Sequence, residues 1–204
     1  MSEAVRENVG EPELQPEDAA RAAIYGLTAR LFYAAPDEGV LGQLLHSTAF
    51  ESSEEPVAIA WRELVEAART AIPVMLENEH TELFVGTGKA EVTPYLTHYT
   101  IKYASDSPLV ELRQQLIRWG LSRRDNVHEP EDHIAGICET LRFAIAVQHR
   151  SEEEQKSFFE RFLYRGGTAF CDAVNASPKA VFYRRLAGFV RAFLEVEHEA
   201  FGML

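Results

Sequence analysis

The chain has 204 residues, 46% apolar and 25% charged, which is enough for one sizeable core or two small ones. Its net charge of −12 argues against a broad nucleic-acid-binding surface and favours basic partners. No apolar run approaches the roughly 18 residues of a membrane-spanning helix, so stable membrane insertion is not expected.

The opening stretch MSEAVRENVGEPELQPE lacks the basic and apolar regions of a secretory signal. It reads as a flexible acidic tail over residues 1–17, ahead of one all-helical domain over 18–204 in a cytoplasmic protein. Asp18 or a neighbour is placed to cap a first helix with Ala20, Ile24, Leu27, Leu31 and Phe32 on one apolar face, ending before Pro36. A short second helix holds Val40, Leu41, Leu44 and Leu45. Ser53 is placed to cap a third, with Val57, Trp61, Leu64, Val65, Ala68 and Ile72 facing inward, until Pro73 ends or kinks it. Residues 74–84 continue as another helical piece.

The texture then changes. Residues 85–103 contain Gly86, Gly88 and Pro94 without helical periodicity and read as a long loop, a common place for function. Ser107 and Pro108 open a helix lined by Leu109, Leu112, Leu116 and Trp119. The next helix is expected over about 129–148, with Ile134, Ile137, Cys138, Leu141 and Ile145 inside. Ser151 and Glu154 make a capping-box pattern ahead of Phe158, Phe159, Phe162 and Leu163. Gly166 and Gly167 suggest a break. Ser177 with Pro178 opens a last helix carrying Val181, Phe182, Leu186, Phe189, Val190, Phe193 and Leu194. The architecture is all-α, with a seam between two helical lobes near 120–133. Cys138 and Cys171 fall within apolar helical patterns and read as reduced, buried thiols.

The run HEPEDH at 128–133 invites a zinc reading, but its histidines, His128 and His133, are five residues apart. On a helix they diverge by roughly 140°, and Pro130 belongs to a first turn, not an interior. A helix start is the better reading, with Glu131 and Asp132 in the first turn where the helix dipole favours carboxylates, and His133 just inside. GTGK at 86–89 lacks the spacing and the following Ser or Thr of a phosphate loop. No metal ligand and no catalytic residue is assigned. The tyrosines Tyr95, Tyr99 and Tyr103, with Trp61 and Trp119, anchor core and loop or wall a groove for an apolar peptide.

EHTELFVGTGKAEVTPY (79–95), EPEDHIAGICETLRF (129–143), FFERFL (158–163) and FYRRLAGFVRAFLEVE (182–197) resemble the TorD/DmsD/NarJ family of cytoplasmic molybdoenzyme chaperones. The strongest pieces are Glu129, Pro130, Asp132 and His133, then Glu79, Leu83, Phe84 and Gly86. The resemblance implies a two-lobed helical fold with the Pro-x-Asp-His segment at its hinge. It implies binding to the twin-arginine signal peptide, or to the apo-form, of a molybdenum-cofactor catalytic subunit, held until cofactor insertion. The residues above, with Pro94, Tyr95 and Trp119, then serve as client-binding or hinge residues. Members act as monomers or homodimers, some by exchanging helices. No cofactor is implied beyond the weak guanine-nucleotide binding associated with some members. The form EPEDHIAGICETL is similar to members that serve formate dehydrogenases. The competing readings are a hydrolase, using nucleotide at 86–89 or a metal at His128 and His133, and a helical scaffold in a larger assembly.

Overall fold

A computed structural model of the chain describes residues 14–47, 49–50, 53–86, 90–103, 106–122 and 129–204. Helix α1 spans Pro16–Tyr33, α2 Glu38–Leu45, α3 Pro56–Arg69 and α4 Pro73–His80, the last running on through a π-helical turn at Thr81–Val85. One turn of helix, α5, covers Thr97–Thr100, and α6 covers Pro108–Arg118. Helix α7 spans Ile134–Ala146. Helix α8, Glu152–Phe158, passes through a second π-helical stretch, Phe159–Tyr164, into α9, Arg165–Ala176; α10, Phe182–Gly202, is the longest. Among the described residues the only extended pairing is one antiparallel bridge, Tyr95 with His133.

The core gathers on α10. Leu186, Phe189, Val190, Phe193 and Leu194 recur at helical spacing and are buried, against α3 on one side and α9 on the other. Aromatic edges join the layers: Trp61 of α3 meets Phe189 at 4.9 Å, Phe32 of α1 meets Phe170 of α9 at 5.0 Å, and Phe84 meets Tyr183 at 5.0 Å. Helix α1 lies along α7, so the N-terminal helix packs on the second half of the chain. A buried polar cluster ties α1 to α10. Glu197 accepts Arg21 Nε at 2.8 Å and the Tyr25 hydroxyl at 2.7 Å, so its buried carboxylate has both a cationic partner and a hydroxyl donor.

Several boundaries differ from the sequence expectation. The N-cap position of α1 is Gln15, which makes no side-chain capping bond, and Pro16 takes the first position, so residues 16–17 are helical while residues 1–13 lie outside the described residues; Asp18 lies within the first turn and pairs with Arg21. Proline likewise fixes the start of α3, whose N-cap is Glu55 rather than Ser53. Ile72 is exposed, because α3 stops at Arg69 and Pro73 starts α4. Gly166 and Gly167 do not break the chain. Both are buried in helix, where a Cβ on Gly166 would stand 2.9 Å from the Leu96 carbonyl oxygen, so they are small for close packing. Helix α10 begins at Phe182, not Ser177. Its first amides are capped from a distance by Glu79, which accepts Val181 N–H at 2.8 Å, Phe182 N–H at 3.2 Å and Tyr183 N–H at 3.0 Å. The capping box at Ser151 and Glu154 forms with both of its bonds.

Candidate functional site

The segment 129–134 is not the first turn of a helix. His133 is itself the N-cap of α7, its Nδ1 accepting the Ala135 N–H at 3.1 Å, and residues 129–132 precede the helix. Pairing with residues 94–97 competes with helix here and wins. Ile134 N–H donates to the Pro94 carbonyl and Leu96 N–H to the Asp132 carbonyl, both at 2.9 Å. The side chains repeat the join: Thr97 Oγ1 donates to Asp132 Oδ2 at 2.5 Å, and the Tyr95 hydroxyl donates to Glu129. Gly166 presses on Leu96 from behind. Asp132 is 3% and His133 7% exposed, so the centre of the clasp is buried, while Tyr95, Thr97 and Glu129 at its edge are partly exposed.

Electrostatics follow from that burial. With Nδ1 accepting, His133 is the neutral Nε2–H tautomer. Burial drives its pKa down to about 4, against the pull of Glu129 and Asp132, while the nearby His80 pushes the same way as burial. His80 is also held below its usual value by burial, partly offset by its 3.3 Å contact to the Phe32 carbonyl. Burial, then the Glu129 partner, pushes the Tyr95 phenol up to about 12.

Beside the clasp lies a cleft of about 440 Å³ between the end of α1 and the outer face of α4. Its walls include Tyr33, Pro36, Pro73 and Val74, and its polar groups are Asp37, Glu77, His80 and Thr81. Tyr33 and Val74 are more than half exposed, and the Tyr33 ring stands edge-on to His133 at 6.3 Å. Asp37 pairs with Arg30 and caps α2 through Val40 N–H, whereas Glu77 is exposed with no ion pair among the described residues. The arrangement suits an extended or helical peptide carrying apolar and cationic side chains, whose charges meet carboxylates at the rim.

The residues singled out in the sequence divide sharply. Glu129, Pro130, Asp132, His133, Pro94 and Tyr95 are brought together in the clasp. Leu83 and Phe84 are buried in the π-helical turn, and Gly86 ends that turn at φ 66°, its N–H reaching the Thr81 carbonyl. Glu79 is spent on α10. Trp119 lies apart, stacked on Phe158 at 4.8 Å beneath Arg150. His128 and residues 87–89 lie outside the described residues. Among the described residues no group of three or more His, Cys, Asp or Glu side chains is arranged to hold a metal. Tyr33, Val74, Glu77 and Thr97 were not anticipated. Tyr33 had one usable signal: a large side chain off the buried stripe of α1, just before Ala-Ala-Pro.

A crystal structure assigned as a redox enzyme maturation protein from Archaeoglobus fulgidus shares this fold, with TM-score 0.56 and 21% identity over 93% of this chain and 99% of that one. A family model described as nitrate reductase delta subunit matches residues 51–172, more than half of the chain. The chain therefore belongs to the nitrate reductase delta subunit family, the molybdoenzyme maturation chaperones that the motifs resembled. No curated protein matches the chain. No helix among the described residues is long and apolar enough to cross a membrane.

Proposed function

We propose that the protein binds the twin-arginine signal peptide of a molybdenum-cofactor oxidoreductase in the cytoplasm and holds the apo-enzyme back until its cofactor is in place. The observation that carries this reading is the cleft between α1 and α4, which joins exposed Tyr33 and Val74 to the carboxylates of Asp37 and Glu77. The surplus of carboxylates over the whole chain steers a basic segment toward it, and apolar contact supplies most of the affinity. The clasp sets the shape of this cleft through His133 and Tyr33 without touching the client. On this reading the hinge of the two lobes falls at residues 120–133, of which 123–128 lie outside the described residues.

The test is calorimetric titration with twin-arginine peptides from several molybdoenzymes, each beside a twin-lysine control. Formate dehydrogenase leads the panel on the motif EPEDHIAGICETL, and the nitrate reductase catalytic subunit follows on the family description. Micromolar or tighter binding to one peptide, weakened in its control and by salt, is the expected result. Silence toward every peptide and toward the apo-enzymes overturns the reading.

A further inference from the structure

A second cleft, of about 450 Å³, opens between α1, α2 and α3. Ala20, Ala23, Ile24 and Leu27 form its floor at helical spacing, and Leu44 and Trp61 stand in its walls. None of its lining residues is charged. Ala20, Ile24 and Leu27 are α1 positions that the sequence pattern assigned to the core, yet Ala20 is exposed, as is Ala23, and Ile24 and Leu27 are only half-buried. Helix α2 packs on α3, which leaves the stripe open. Two alanines there permit close approach of another backbone, and a row at three- and four-residue steps matches the ridges of a helix.

The two clefts share α1 and α2. The acidic one takes Tyr33 from the end of α1 and Asp37 from the start of α2; the apolar one takes Leu27 from α1 and Leu44 from the end of α2. Leu27 and Tyr33 are separated by about 9 Å along the helix axis and about a third of a turn around it. The α1–α2 connection that lies between them in the chain carries Ala34 and Ala35, two small side chains.

Resting on the reading above, we infer that the client segment is bipartite: its basic end sits in the acidic cleft and the uncharged apolar stretch that follows lies as a helix along Ala20, Ala23, Ile24 and Leu27. Charge separation between the clefts is the reason to commit to this occupant. A basic and apolar peptide matches both, whereas a uniformly charged one matches neither wall of the second.

The experiment uses the full chain, a parent peptide and the same peptide truncated after its basic end. Ala20→Gln/Ala23→Gln changes two exposed sites to a neutral, helix-tolerant residue, with thermal melting as a check on folding. The double variant is expected to weaken the parent peptide about tenfold, leaving the truncated peptide and the salt dependence unchanged. Glu77→Gln is expected to weaken both peptides and flatten the salt dependence. Unchanged affinity of the parent peptide for the folded double variant overturns the second site alone. Loss of binding to all peptides by the unsubstituted protein overturns the function reading with it. A dimer of the parent protein that dissociates in the double variant assigns the stripe to a second copy instead, and also overturns the inference.

Discussion

The clasp and the cleft beside it are neighbours with opposite surfaces. Residues 129–134 hold the strongest motif in the chain, yet Asp132 and His133 are buried and bonded to Thr97 and Ala135 within the fold. Most of the cleft's lining formed no motif, only His80 and Thr81 coming from the 79–95 segment, and Tyr33 and Val74 face solvent there. A carboxylate or imidazole in a motif draws attention as a binding group. Here those groups have found partners within the fold: Thr97 donates to the Asp132 carboxylate and the Ala135 amide to the His133 ring, while the Leu96 amide holds the Asp132 backbone carbonyl. Availability for a partner has moved to weakly patterned surface, so substitutions in the two regions should act on different observables.

The sharpest test of the clasp is Gly166→Val. The new side chain drives into the Leu96 carbonyl and Cβ, which stand 2.9 and 3.0 Å from an ideal Cβ. Overpacking of this kind is expected to cost about 3 kcal/mol, read from urea unfolding. Gly188→Ala is the control: nothing lies within 4 Å of its Cβ, and helix propensity should add up to about 1 kcal/mol. Equal effects at the two glycines would mean that residues 94–97 do not rest on α9.

Glu79 extends the comparison to the other family motif. Its carboxylate serves three backbone amides at the start of α10, the helix that organises the core. Glu79→Ala should cost about 2 kcal/mol, and Glu79→Gln, which keeps an acceptor, about half that. Loss of peptide affinity at unchanged stability would place Glu79 in the cleft instead.

The helical class, the inner stripes of α7 and α10 and the capping box at Ser151 were all legible, because each is a local pattern of apolar spacing or of two residues three apart. The clasp was legible only as a motif. Its partner segment at 94–97 lies more than thirty residues away, and no local pattern tells His133 to cap α7 after an extended pairing instead of entering a helix. The same limit hid the cap on α10, since Glu79 reaches it across about a hundred residues. Gly166 and Gly167 were misplaced because a glycine pair signals a turn locally and close packing only in three dimensions.

pH separates the buried histidine from the exposed cleft. The His133 pKa is lowered in the folded protein to about 4, so between that value and the ordinary 6.5 the unfolded chain binds a proton that the folded chain does not. Stability is therefore full above about 6.5 and falls as pH drops toward 4, with His80 acting in the same direction. From pH 7 to pH 5 the loss is expected to be about 1–2 kcal/mol. His133→Asn, which retains a side-chain acceptor for the Ala135 amide, should flatten that slope. A slope unchanged in His133→Asn would assign the acid sensitivity to other groups.

The smallest effect on stability should come from the cleft. Tyr33 is 54% exposed and its ring meets His133 only at an edge, so Tyr33→Ser should leave unfolding within about 0.5 kcal/mol of the parent. If the cleft holds the client, the same substitution removes a large aromatic wall and should weaken peptide binding tenfold or more, since aromatic residues often dominate such contacts. A variant that is stable and still binds at parental affinity would transfer recognition away from α1 and α4. One that loses both stability and binding would show that Tyr33 supports the clasp through His133, and the division between the two regions would fail at this residue.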